Sequence, residues 1–276
     1  MYVGSHVSIS RGYEEAAKHA VSLGASAFQY FPKNPRSLVV KKFNKSDALR
    51  CAEFCLEHKV KSIAHTPYPT KLIPENEDIQ SQVIESLKND LEIAEACGSI
   101  GVVVHFGSTA TLDAIEAYTI MINNINRVLE HWDGDAMLLI ENNAGAGSEM
   151  GITLEEMVQI RNLTEFPEKI GFCFDTCHAF ASGLWSETNW ETFVEKADEL
   201  GYFEHLKAIH INDSKYPYGQ RKDRHANILK GHMLKSQWEQ LLSHDIVKGI
   251  PLVLETPKDN GVTHKEEIQL LKTFLQ

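Results

Sequence analysis

Residues 171–183 read GFCFDTCHAFASG and set an aspartate, a histidine and two cysteines within six positions. Three chemistries fit such a crowd: a thiolate zinc clip, a nucleophilic cysteine beside its base, or a pair of metal ligands, Asp175 and His178, framed by incidental thiols. Further along, KDRHAN places Asp223 two residues before His225, so that both side chains can point the same way from an extended segment. Histidine and carboxylate together form the borderline-to-hard donor set that suits Zn²⁺, Mn²⁺ or Fe²⁺ and is a poor set for Mg²⁺ alone. A nucleophilic thiol would need a base positioned for it and would leave the other acidic positions unexplained.

Such residues need elements to bring them together. Eight apolar, β-rich runs punctuate the chain: YVGSHVS, AFQYF, KSIAHTPY, GVVVHFG, MLLIENN, IGFCFDT, LKAIHIND and IPLVLET. Amphipathic segments lie between them, for example Ile79, Val83, Leu87, Leu91 and Ala94 at near-helical spacing, closed by Gly98 as a C-cap. The last helix opens with Thr263 and Glu266 in capping-box spacing. Continuous apolar strands, each followed by a helix, indicate a parallel sheet covered by helices. The expectation is a single-domain α/β chain over residues 1–276, folded as a (β/α)₈ TIM barrel. The alternative, an open doubly wound sheet, lacks a Gly-rich phosphate loop after the first strand, where SHVSISRG stands.

Each run ends on a polar residue: His6, Gln29, His65, His105, Glu141, Asp175, His210 and Glu255 in order. In a barrel these ends converge on one face, where active sites lie. Taken singly, a histidine at a strand end is usually a hydrogen-bonded core or surface residue. A buried carboxylate is harder to dismiss, because burying it unpaired is expensive. Cys173 shares strand parity with Asp175 and is expected one layer below the site as a small hydrophobe, while Cys177 is placed in the turn between Asp175 and His178. Cys51 and Cys55 fall on one face of an amphipathic helix, hence in the core.

The 276 residues suit one barrel, which typically takes about 250. With 43% hydrophobic and 24% charged residues the composition is that of an ordinary globular protein. MYVGSHVSIS lacks a basic leader and an apolar core, and no window approaches the roughly 20 apolar residues of a membrane span, so the expected location is cytoplasmic. Five cysteines with no C-x-x-C pair argue against a disulfide framework and a zinc ribbon. The net charge of −11 repels nucleic acid on average, so a phosphate partner would have to be drawn in by local charge.

The segments AHTPY (64–68), ENNAGAGSEMG (141–151), CFDTCHAFASG (173–183), HINDSK (210–215), DRHANI (223–228) and PLVLETP (251–257) resemble, in order and over the entire chain, the endonuclease IV family of apurinic/apyrimidinic endonucleases. The resemblance implies three Zn²⁺, with Mn²⁺ or Fe²⁺ as substitutes at one or more sites. One ion would take His65, His105 and Glu141. A second would take Glu141 as a bridge with Asp175, His210 and Glu255, and a third His178, Asp223 and His225. Six positive charges against four ligand carboxylates would make the loaded pocket locally cationic. The implied reaction is hydrolysis of the phosphodiester 5′ to an abasic site, leaving a 3′-hydroxyl, with Glu141 or Glu255 orienting the nucleophile. The implied partner is double-stranded DNA carrying abasic or 3′-blocked lesions, met by a monomer with no membrane involved.

By the same resemblance Lys33, Asn34, Arg36 and Tyr68 match family positions that face DNA. As a plain alternative, Lys33 and Arg36 are only solvated loop charges. The sequence departs from the family at Phe106, where HFG replaces HPG, at Pro69, and at Leu229 and Lys230, where a glycine and an acidic residue are usual; all four are expected on or near the DNA-facing rim. The competing reading is a metal-dependent sugar isomerase or epimerase of the xylose-isomerase-like barrels. Such an enzyme needs no third site, so His178, Asp223 and His225 discriminate.

Overall fold

The computed structural model describes residues 1–74, 77–107, 112–147, 150–258 and 261–274; Ser148 and Glu149 of the ENNAGAGSEMG segment lie outside the described residues. Each of the eight apolar runs contains a strand: β1 (Tyr2–His6), β2 (Ala27–Tyr30), β3 (Lys61–His65), β4 (Gly101–Gly107), β5 (Met137–Glu141), β6 (Ile170–Asp175), β7 (Leu206–His210) and β8 (Pro251–Leu254). They pair in parallel in the ring order β3-β2-β1-β8-β7-β6-β5-β4, and β3 returns to β4 through Ala64↔Val102 and His65↔Val103. The sheet is therefore closed, as expected of a (β/α)₈ barrel, and the open-sheet alternative is excluded.

Helices α1 (Tyr13–Ser22), α2 (Lys45–His58), α3 (Glu77–Ala96), α4 (Ala114–Leu129), α5 (Leu154–Leu163), α6 (Thr176–Ser182), α7 (Trp190–Glu199), α8 (Lys235–Ser243) and α9 (His264–Thr273) alternate with the strands. Local chemistry sets their limits. Asn44, Asp113 and Thr153 accept N–H groups of the first turns of α2, α4 and α5, satisfying donors that have no partner within the helix. Gly98, past the end of α3, takes φ +65, and Thr263 and Glu266 form the capping box of α9. Cys177 lies inside α6 rather than in a turn, because Asp175 starts that helix at once by accepting His178 N–H at 2.7 Å.

The barrel axis is filled by one layer that positions the site above it. Ile63, Val103, Leu139, Cys173, Ala208 and Val253 are wholly buried together. Each stands two residues before His65, His105, Glu141, Asp175, His210 and Glu255, so strand alternation puts those six polar residues directly above an apolar floor. Cys173 fills the place expected of it. A second, larger core lies between strands and helices and includes Phe28, Phe172, Trp185 and Trp238.

Among the described residues, three short strands lie outside the barrel. Lys71–Ile73 extends the ring beside the end of β4, and Asp213–Ser214 pairs antiparallel with His225–Ala226. Phe106 is not on the rim: its ring is buried at 1% exposure beneath Gly151, where an added Cβ would stand 2.4 Å from it and where φ is +72. Among the described residues no helix is long and apolar enough to cross a membrane.

Candidate metal centre

The C-terminal ends of the strands open into a cavity of about 360 Å³ whose walls include His65, His105, Glu141, His178, Asp223, His225 and Glu255. Donor atoms converge in three groups: His65, His105 and Glu141; Glu141, Asp175, His210 and Glu255; and His178, Asp223 and His225. In the first, Glu141 Oε2 lies 3.7 Å from His65 Nε2 and 3.5 Å from His105 Nδ1. In the second, His210 Nδ1 lies 3.0 Å from Glu141 Oε1, 3.2 Å from Glu255 Oε2 and 3.9 Å from Asp175 Oδ2. In the third, Asp223 Oδ1 is 3.4 Å from both His178 Nε2 and His225 Nε2. Glu141 belongs to two groups and reaches them with different oxygens.

These residues fit divalent ions. Most of the spacings match the edge of a four-coordinate zinc site, about 3.4 Å for bonds of about 2.1 Å. Glu141 Oε2 and His225 Nε2 are buried without a hydrogen-bond partner, a costly state that a cation between the donors would relieve. Burial opposes charge on Glu141, yet the facing His210 and His105 outweigh it and hold the carboxyl well below its ordinary value. Burial likewise opposes charge on His210 and His178, but Cys173 with Glu255 and Glu141 for the first, and Asp175 and Asp223 for the second, push both imidazoles well above their ordinary value. The acidic groups thus favour positive charge in the pocket. Asp175, Cys177 and His225 form a further group, but burial pushes the Cys177 thiol up to about 12, so it remains protonated and donates towards Arg224 O at 3.8 Å.

Outer residues orient the donor groups. His65 donates Nδ1–H to Thr66 O at 2.8 Å and His178 donates Nδ1–H to Asn142 O at 2.9 Å, leaving each Nε2 for the site. Asn212 donates to Asp175 Oδ2 at 2.8 Å and accepts Glu255 N–H at 2.8 Å, tying β6 to β8. Asn142 pairs with the backbone of Asp175 through Asp175 N–H at 2.7 Å and Asp175 O at 3.1 Å. The sequence reading missed Asn142 and Asn212; their signal is adjacency, one and two residues after the candidate ligands Glu141 and His210.

Two buried carboxylates outside the donor groups hold the segment that follows His225. Asp213 accepts N–H groups of Ser214, Gly231 and Met233 at 2.7–3.1 Å. Glu267, from α9, accepts Ile228 N–H at 2.9 Å, Asn227 Nδ2–H at 3.0 Å and the Thr256 hydroxyl at 2.6 Å. Leu229 between them takes φ +62, the left-handed conformation that glycine adopts without strain.

The four residues matched to DNA-facing positions divide. Lys33 is 3% exposed, pairs with buried Asp90 at 2.7 Å and donates to Ser86 O at 2.6 Å; a side chain so enclosed cannot face DNA. Asn34 is exposed and uses its Oδ1 to accept Arg36 N–H at 3.0 Å, closing the turn that presents Arg36. Arg36 is exposed, and Tyr68 is 62% exposed and lines the cavity. Tyr68 N–H donates to Pro35 O at 2.9 Å, so the two loops are joined.

A sequence model described as the xylose isomerase-like TIM barrel matches residues 17–274. Over full length on both sides, the chain is 43% identical to a probable endonuclease 4 of Symbiobacterium thermophilum. It is 34% identical to one of Heliobacterium modesticaldum, again over all of both chains. The crystal structure of endonuclease IV from Thermus thermophilus superposes with a TM-score of 0.87 at 26% identity, covering 100% of this chain and 99% of that one. A D-tagatose 3-epimerase-like protein, covering 100% and 97% of the two chains, reaches only 0.69 at 19% identity and shares the fold alone. With the closed barrel and its three donor groups, these likenesses assign the chain to the endonuclease IV family of the xylose isomerase-like TIM barrels.

Proposed function

We propose that this chain is a zinc-dependent endodeoxyribonuclease of DNA base-excision repair that hydrolyses the phosphodiester 5′ to an abasic site and leaves a 3′-hydroxyl. The observation that carries the reading is the third donor group, His178, Asp223 and His225, assembled beside the two that share Glu141. A sugar epimerase has no use for it. The full-length likeness to probable endonuclease 4 supports the same reading.

His65, His105 and Glu141 would hold one ion, Glu141, Asp175, His210 and Glu255 a second, and His178, Asp223 and His225 a third. Ions held there supply Lewis acidity, lower the pKa of water towards neutrality and neutralise charge on the attacking and departing oxygens. The protein's own part is orientation. Glu255 lines the cavity with its side chain 20% exposed and is fixed by Asn212 and by Gln29, which donates to its Oε1 at 2.6 Å; this supports Glu255 as the carboxylate that orients the nucleophile. Glu141, 1% exposed, is held deeper and serves as the bridge. Arg36 and Tyr68 meet the duplex where the damaged nucleotide is extruded, which costs least where base pairing is already lost. All nine ligands come from one chain, which supports action as a monomer; a cytoplasmic location belongs to the same reading.

Elemental analysis together with incubation on an abasic duplex tests the proposal. Close to three zinc or zinc/manganese ions per chain and a single cut leaving a 3′-hydroxyl are expected. A single ion in an active preparation that leaves the duplex intact would favour the epimerase.

A further inference from the structure

Gln29 joins three groups, and its orientation is determined. The Glu255 carboxylate, 2.6 Å away, can face only an N–H, so Gln29 Nε2 points to Glu255 and Oε1 to His210. His210 must then donate its Nε2–H, at 2.6 Å, which leaves Nδ1 for the donor group with Glu141 and Glu255. The second hydrogen of Gln29 Nε2 points to His6 Nδ1 at 3.2 Å. His6 therefore accepts at Nδ1, and its proton sits on Nε2.

His6 belongs to none of the metal-donor groups, yet it lines the same cavity. Its ring lies 4.5 Å from that of Phe31, which in turn meets Tyr68 at 5.2 Å, so it forms one wall with the aromatic residues of the cavity mouth. Burial lowers its pKa to about 3, with Glu255 opposing the shift and His65 and His210 adding to it, in keeping with the neutral ring that acceptance at Nδ1 requires. No hydrogen bond from Nε2 to another protein group accompanies this arrangement among the described residues.

We propose that His6 is a substrate-binding residue: held as the neutral Nε2–H form by Gln29, it donates a hydrogen bond to an oxygen of the substrate's sugar–phosphate backbone. The proposal rests on the phosphodiesterase reading above. A neutral donor suits this wall, since it adds direction without adding charge beside a pocket built to hold cations. Gln29 would be the positioning residue that ties this donor to the ligands His210 and Glu255.

The metal-loaded protein labelled with ¹⁵N-histidine tests it, the His6 signals being identified by their loss in His6→Gln. From pH 6 to 9 His6 should show a protonated Nε2 and an unprotonated Nδ1. Inorganic phosphate, or an abasic duplex with a non-hydrolysable linkage, should shift the Nε2–H signal; response to phosphate alone assigns the acceptor to the phosphoryl group, and response only to the duplex assigns it to the sugar. On cleavable duplex His6→Ala should lower kcat about 10–100-fold at unchanged metal content, and His6→Gln, which keeps an N–H, should recover part of the loss. A proton on Nδ1, or no shift with either probe, overturns the proposal. If the parent leaves abasic duplex uncut, the phosphodiesterase reading fails, while the tautomer and the phosphate response still decide the role of His6.

Discussion

Lys33 follows a strand and precedes Arg36 in a polar loop, so its neighbours in sequence assign it to the surface. Its partner, Asp90, stands on α3, and no local pattern announces the pair. Burial pushes the Asp90 carboxyl up to about 7, with Lys33 pulling it back. Lys33→Met removes that pull and raises the folded-state value further, while the unfolded value stays near 3.9. An acid whose folded pKa is raised contributes stability that is lost as pH rises through that pKa, so the variant goes on losing stability above pH 7 where the parent levels off. The expected penalty is small at pH 6 and grows to about 2 kcal/mol by pH 8.5, at about 1.4 kcal/mol per pH unit. Denaturant unfolding at the two pH values measures it; a penalty flat with pH removes Asp90 from the account. Discrimination between abasic and intact duplex should not change. Glu255 was legible by contrast, because strand parity alone places it above Val253 and beside His210. Glu255→Gln should keep the fold and lower turnover by more than about 100-fold, beyond the 10–100-fold typical of an outer residue. Near-normal steady-state turnover would take Glu255 out of the reaction.

At the scale of elements, the barrel strands were readable because each is a continuous apolar run, and their common end is a line of polar residues. The two-residue strands at Asp213–Ser214 and His225–Ala226 carry no such run, and α6 is seven residues long and begins on a ligand's cap. Neither could be seen from periodicity. What holds the His225 segment is a pair of acidic residues far apart in sequence, Asp213 and Glu267, whose oxygens take up its N–H groups. Glu267→Ala should free Asn227 and Ile228 and lower occupancy of the His178–Asp223–His225 group, so zinc analysis should fall from three towards two ions with the barrel still folded. Retention of all three would show that Asp213 suffices. Leu229 offers a second test in the same segment. Glycine ordinarily destabilises relative to alanine, but at φ +62 the order should invert: Leu229→Gly should be more stable than Leu229→Ala by about 1 kcal/mol, since both lose the leucine side chain and only glycine relieves the backbone. Thermal unfolding of the two variants decides it, and the usual order would mean that the segment relaxes out of this conformation.

At the scale of the whole molecule, a chain with net charge −11 has to bring together an acidic surface and a polyanion. Four carboxylates of the donor groups, Glu141 and Asp175 buried and Asp223 and Glu255 nearer the opening, lie beneath the mouth where DNA would enter, and three divalent ions would reverse the local sign from four negative to two positive. Charge at that mouth attracts every duplex, damaged or intact, so discrimination needs something that answers to the lesion itself. On the proposed function, Arg36 and Tyr68 would supply it. Both are exposed, both stand at the open end of the barrel, and the bond from Tyr68 N–H to Pro35 O makes their loops one unit. Phe31 braces the tyrosine ring from inside the cavity at 5.2 Å. The double change Arg36→Ala with Tyr68→Ala should therefore weaken binding to abasic duplex by about 2–4 kcal/mol, at about 1–3 kcal/mol for each stacking or base-level contact. Binding to intact duplex, carried by general attraction, should weaken much less, and zinc content should not change. If the double variant separates the two duplexes as well as the parent does, the wedge is elsewhere on the rim. Phe106 is excluded from that role because its ring is spent under Gly151, which leaves exposed Lys230 and the residues around Pro69 as the positions to examine next.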